Sequence, residues 1–241
     1  AKNSNTFMIK TSNTVSGTPT RKQVWNANES QILYGSLATS EDQFGISLSV
    51  DGNYAIIGAR QNDTGGTNRG TAYIFYKSGG TWTEQVNFQS SDIEDNDNFA
   101  YSVDISGDYA IIGSFLEDTG GGDAGAAYIF YRSGTSWTQQ AKLTASNAGS
   151  SDWFGYSVAI DGDYAIVGAY LEDTGGSDRG SVYIFKRSGT SWAQQAKLNA
   201  SDAQDSDSFG QHVDISGDYV AVGASQEDTT ASNAGSVYIF K

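Results

Sequence analysis

The chain has 241 residues, 38% of them hydrophobic, with 29 Gly, one Pro and no Cys; disulfides, cysteine nucleophiles and cysteine-ligated metals are thereby excluded. Lys and Arg total 14 against 28 Asp and Glu, a net charge of −14, which repels phosphate backbones and anionic lipid, so neither nucleic acid nor a membrane surface is expected as a partner. One histidine, His212, rules out a multi-histidine metal site, and apolar runs such as Tyr109–Ile112 are too short to span a bilayer, so no membrane insertion is expected.

Residues 1–22 match no later part of the chain. They are rich in Thr, Ser and Asn, and Thr6–Thr11 is a short β-prone run containing the only Met. An isolated strand is not stable in water, so this segment is expected as a tail and candidate assembly strand. Residues of about 23–37 come next. Leu33 stands 55 residues before Phe88, which stands 55 before Leu143 and 110 before Leu198, and Trp25 echoes a later Trp. This segment is expected to be a displaced outer strand.

From there to the C-terminus the chain repeats. Phe44, Phe99, Phe154 and Phe209 are spaced by 55, as are Tyr54, Tyr109, Tyr164 and Tyr219, and Gly58, Gly113, Gly168 and Gly223. Short alternating runs at this period point to propeller blades rather than to a helical solenoid. In the third unit, Phe154–Ile160 alternates like a half-buried strand. Asp161-Gly162-Asp163 is a hairpin turn, Tyr164–Ala169 is apolar on both faces, Glu172–Gly180 is a loop, and Ser181–Phe185 is a second doubly buried strand. Trp192–Leu198 mixes apolar residues with Gln and Lys, as an outer strand does. Four strands make one blade. The fourth unit stops after its third strand, so the segment at about 23–37 is expected to close it and to remove an open edge. The expected architecture is all-β: a four-bladed β-propeller over 23–241, with repeats starting near Phe44, Phe99, Phe154 and Phe209.

The motif FGYSVAI-DGD-YAIVGA followed by GSVYIF resembles the FG-GAP repeat, in the short-loop bacterial form distantly similar to the integrin α-subunit propellers. The resemblance covers four repeats and implies adhesive or protein-binding roles. An acidic, cysteine-free chain rich in Ser, Thr, Asn and Gly reads as extracellular, secreted or cell-surface, and a single His without a partner gives no support to an enzyme, so none is expected. Integrin-type repeats carry an Asp-x-Asp-x-Asp-Gly calcium loop. Here that place holds only Asp51-Gly52-Asn53, Ser106-Gly107-Asp108, Asp161-Gly162-Asp163 and Ser216-Gly217-Asp218, too few oxygens for that site.

Candidate sites follow from the loops. Asp42, Asp97, Asp152 and Asp207 precede each repeat Phe by two residues, and Asp118, Asp173 and Asp228 fall on the same loop end. They are weak candidates for calcium, which takes several carboxylate and carbonyl oxygens; equally, Asp before Thr-Gly forms turns with its own backbone. The opposite end carries Lys77, Arg132, Arg187 and Lys241 together with the turn Asp residues, so its sign is mixed; stacked on the acidic end of another copy it would give a head-to-tail oligomer or filament. Trp82, Trp137 and Trp192 recur once per blade and are either sugar-stacking platforms of a lectin or fillers of the wedge between blades. His212 stands where other repeats carry Ser47, Ser102 and Ser157, without a catalytic partner. Asn28, Asn62 and Asn199 begin glycosylation sequons, which would mark surface positions.

Overall fold

The computed structural model describes residues 29–228 and 231–241. Among them are fifteen strands and no helix, and so no helix long and apolar enough to cross a membrane. The first sheet holds β1 (Leu48–Asp51), β2 (Tyr54–Ala59), β3 (Thr71–Ser78) and β4 (Thr81–Phe88). The second holds β5 (Ser102–Ser106), β6 (Tyr109–Ser114), β7 (Ala126–Ser133) and β8 (Ser136–Leu143). The third holds β9 (Ser157–Asp161), β10 (Tyr164–Ala169), β11 (Ser181–Ser188) and β12 (Ser191–Leu198), and the fourth β13 (Phe209–Ser216), β14 (Tyr219–Ala224) and β15 (Ser236–Phe240). Every sheet is an antiparallel meander in chain order. Four sheets from four repeats make the four-bladed β-propeller that the 55-residue period predicts.

The period explains the burial. The second and third strands of the inner blades are apolar on both faces because a blade lies on each side. Ile56, Ala72 and Ile74 of the first blade pack on Phe99, Val103 and Ile105 of the second. The same places join the second blade to the third and the third to the fourth. Tyr73, Tyr128, Tyr183, Phe99, Phe154 and Phe209 are the largest fully buried side chains. Hydrogen bonds cross between innermost strands: the Ser49 hydroxyl donates to Asp104, and Asp104 accepts the Ile160 N–H at 2.8 Å.

Glycine is required where one blade receives the next. A Cβ on Gly70, Gly125 or Gly180 would lie about 2 Å from the carbonyl oxygen of Phe99, Phe154 or Phe209. A Cβ on Gly58, Gly113 or Gly168 would lie as close to the carbonyl of the following residue, Ala100, Gly155 or Gly210. The corner at the repeat Phe (Phe99-Ala100, Phe154-Gly155, Phe209-Gly210) is thus the plug of each following blade, and the two glycines of the preceding blade are its socket.

One expectation is corrected, and another reaches beyond the described residues. The first strand of the third repeat begins at Ser157, not Phe154, because Phe154 and Gly155 form the inserted corner, with Gly155 at φ +91°. Of the expected closing strand, residues 23–28 lie outside the described residues, as does the tail 1–22; among the described residues, 29–37 carry no strand and the last sheet has three strands. Alignment at 55 puts Leu33 opposite Phe88, the end of β4, so residues after 33 correspond to loop. Leu33 itself packs on the outer face of the first blade, beside Tyr73 and Phe75, and Ser36 bonds Glu84 through its N–H at 2.7 Å and its hydroxyl at 2.6 Å.

Candidate functional site

The loop end that precedes each first strand and follows each second strand gathers most of the acidic candidates. Asp42, Asp97, Asp152 and Asp207 are all buried. Each carboxylate accepts the backbone N–H three residues earlier, from Thr39, Glu94, Gly149 and Gln204, at 2.6–2.7 Å. Asp118 and Asp173 accept the N–H five residues later, from Asp123 at 2.8 Å and Asp178 at 2.9 Å, and Asp228 does the same to Asn233. All seven aspartates therefore fasten loop backbone. No group of three or more His, Asp or Glu side chains among the described residues is placed to hold a metal ion.

Burial has electrostatic consequences here. It pushes the Asp97 carboxyl up to about 6 against the Glu94 N–H bond, with the fields of Glu117, Glu94 and Asp118 adding to the rise. Asp152 rises to about 6 by burial, opposed by the Gly149 N–H, with Glu172 and Asp173 adding. Glu172 behaves oppositely. Burial pushes it up, but the Ser181 and Thr174 hydroxyls and the Lys197 ammonium bond its oxygens and bring it down to about 2. Lys197 to Glu172 is 2.9 Å and Lys142 to Glu117 is 2.7 Å. The first repeat carries a neutral version, Asn62, whose amide donates to Asp42 at 2.7 Å and to the Leu37 carbonyl at 3.2 Å.

That geometry corrects one glycosylation candidate: Asn62 is buried and both amide bonds face inward, because it substitutes for the structural Glu. Asn199 is exposed, though its amide bonds Gly180 and Ser181. Asn28 lies outside the described residues.

Two of the three per-blade tryptophans sit in the wedge between blades. Trp137 is buried; its indole N–H donates to Gln85 of the preceding blade and its ring meets Tyr54 edge-on. Trp192 repeats this with Gln140 and Tyr109, and Trp82 lies against the first blade's outer cluster. At the same end, Arg132 pairs with Asp108 and Arg187 with Asp163 in their own blades, while their guanidinium groups stack over Tyr54 and Tyr109 of the preceding ones. The arginines expected to give that end its positive charge are thus neutralised in place, which weakens end-to-end stacking as a route to assembly.

The repeat is broken elsewhere, at residues the sequence reading passed over. Tyr101, Phe115, Trp153, Tyr156 and Tyr170 form one aromatic cluster spanning the second and third blades. Tyr101 meets Phe115 at 4.6 Å and Tyr156 at 4.7 Å between centroids, Phe115 meets Trp153 at 5.1 Å, and Tyr156 meets Tyr170 at 4.5 Å. The Arg60 guanidinium lies over Tyr101 at 5.3 Å. The equivalents of Trp153 are Gln43, Asn98 and Ser208, and those of Tyr101 and Tyr156 are Ile46 and Gln211. Trp153 holds φ +57°, in the left-handed region, as Gln43, Asn98 and Ser208 do at the same place, so this turn belongs to the repeat and the aromatic side chain alone is particular to the third unit. Beneath the cluster a cavity of about 290 Å³ is lined from all four blades, by Ile46, Tyr101, Tyr156 and Gln211 among others, with His212 on its wall. The signal was present in the sequence: aromatic residues in the second and third repeats at positions that are not aromatic in the first and fourth.

Residues 28–75, 82–130, 137–185 and 192–240 each match the FG-GAP repeat family. No curated protein matches the chain.

Proposed function

Since the chain belongs to the FG-GAP repeat family, we propose that it is a non-enzymatic, extracellular structural or adhesive module that binds proteins, other copies of itself included. Propellers of this family generally mediate protein–protein contacts, are generally non-enzymatic and typically occur in extracellular proteins. The observation that carries the reading is the aromatic cluster on the loop end. Five clustered rings from the second and third blades, Phe115 buried among them, and Arg60 from the first have the composition of a protein-binding hot spot. Loops held by buried Asp–backbone bonds keep such a surface preorganised. Calcium belongs to the proposal as a weak ligand of the acidic loops around that cluster.

The rival is a lectin with one site per blade at Trp82, Trp137 and Trp192. The inward packing of Trp137 favours the protein-binding reading. Immobilised protein tested on a glycan array and on a panel of extracellular proteins separates the two. The proposal expects protein binding that Tyr156→Ala reduces at least tenfold and no glycan signal. Glycan binding that disappears on Trp137→Ala, with the circular dichroism unchanged, would overturn it in favour of the lectin.

A further inference from the structure

Three inter-blade joints use one construction, and the two ends of the row of blades carry its unmated halves. On the fourth blade, Gly223 and Gly235 keep the two socket glycines, yet a Cβ on Gly223 would meet only His212, at 3.6 Å, and one on Gly235 only its own chain at Ala224 and Ser225. Val237 and Ile239 stand where Ala127 and Ile129 are fully buried, and are 70% and 64% exposed. Val237 borders an open cavity of about 590 Å³ that also takes in His212, Gly223 and Gly235. On the first blade the plug is bare: Gly45 has nothing within 4 Å of its built Cβ, and Leu48 and Val50, at the places of the buried Val103 and Ile105, are 63% and 58% exposed.

We propose that the socket at Gly223 and Gly235 receives the Phe44–Gly45 corner of a second copy, joining copies head to tail by the same joint that joins blades within one chain. The occupant is defined by shape. At the internal joints the two glycines admit two successive backbone carbonyls, and the first-blade corner is the Phe-Gly left unseated among the described residues. The apolar match is also internal in kind, since Leu48 and Val50 would cover Val237 and Ile239 as Val103 and Ile105 cover Ala72 and Ile74. His212 takes the place of Ser102 and Ser157, whose hydroxyls donate to the incoming Gly155 and Gly210 carbonyls at 2.8 and 2.7 Å; its ring N–H is a donor for the Gly45 carbonyl. Such an interface is heterologous, so it either closes a ring of copies or runs on as a filament.

The inference rests on the reading of the chain as a protein-binding module, and its test leaves the aromatic cluster untouched, so the two fail separately. Sedimentation velocity of the full chain over a hundredfold concentration range should show the mass rising to dimer or beyond. Gly223→Ala places a methyl where the free chain has room but the docked carbonyl does not. It should weaken association at least a hundredfold while leaving circular dichroism and the melting temperature of the monomer unchanged. Ile239→Lys, at an exposed position, should do the same. A wild-type monomer at every concentration overturns the proposal. If that monomer is also destabilised by Gly223→Ala, the socket is filled by the chain's own first blade. Association undiminished in both variants overturns it as well.

Discussion

The second and fourth blades carry nearly the same third strand, AAYIF in β7 and SVYIF in β15, and bury it differently. Ile129 is fully enclosed and its equivalent Ile239 is mostly in water. The difference lies in what stands beside the strand, since β7 has a blade on both sides and the described structure gives β15 one on a single side. Burial in a repeat protein is therefore a property of the joint rather than of the repeat, and every substitution can be placed twice, once inside the row and once at its end.

The largest contrast is expected from cavity formation. Ile129→Ala should cost about 3–4 kcal/mol, lowering the melting temperature by roughly 6–15 °C. Ile239→Ala, measured on dilute protein, should cost less than about 1 kcal/mol. Equal losses would mean that the two strands have the same surroundings in solution.

Overpacking gives the next contrast. Gly113→Ala drives a methyl to 1.9 Å from the Gly155 carbonyl oxygen, and should cost about 2–3 kcal/mol as the second and third blades move apart. The same change at Gly223 should stay within about 0.5 kcal/mol for the dilute chain. Thermal melts of the two variants side by side decide this, and a harmless Gly113→Ala would remove the steric basis of the joint.

Acid–base behaviour sharpens the comparison within the middle blades. Asp97 and Asp152 titrate near 6 when folded, above the ordinary 3.8. Below pH 4 they are protonated folded or unfolded and have no effect. As pH rises from 4 to 6 the unfolded chain ionises first, so stability falls. Glu172 titrates near 2, below 4.5, so its contribution is present above pH 4.5 and is lost as pH drops towards 2. Together these groups place a stability maximum near pH 4–5. Melting temperatures from pH 2 to 8 should show it. The pair Asp97→Asn and Asp152→Asn should flatten the decline between 4 and 6, and Glu172→Gln the acid limb.

Much of the fold was legible because a 55-residue period repeats its evidence: Phe154, Tyr164, Gly168 and Phe185 each recur in all four units, so strand positions were checked several times over. The exact start of the first strand was not, since Phe154 reads as an alternating strand residue until the neighbouring blade's glycines turn it into a plug. The same habit hid the aromatic cluster. Attention to what recurs in all four units passed over Trp153, found in one unit, and Tyr101 and Tyr156, found in two. Whether the repeated Asp residues were ligands or turn formers could not be separated by spacing, because both uses demand a carboxylate at the loop; only the backbone N–H partners reveal the turn role. The side chain of Asn62 was misjudged as a surface sequon because its burial depends on Asp42, twenty residues away.

Calcium is expected to have the smallest effect, and it follows from the same buried charges. Asp97 faces Glu117 and Asp118, and Asp152 faces Glu172 and Asp173, each pair of neighbours raising the carboxyl it faces. At pH 7 these groups are ionised at an electrostatic cost that a nearby divalent cation would relieve. Because the seven aspartates already spend oxygens on backbone N–H groups, affinity should be in the millimolar range of extracellular modules. With a dissociation constant of about 1 mM, 10 mM calcium would add about 1.4 kcal/mol, or roughly 3–6 °C of melting temperature. The shift should reverse with chelator, shrink in Asp152→Asn, and fade below pH 5 as Asp97 and Asp152 take up protons. Magnesium at the same concentration should give less, since it surrenders its water reluctantly to an irregular set of oxygens. Melting curves identical with calcium and with chelator at pH 7 would mean that the acidic loops serve only to fasten their own backbone.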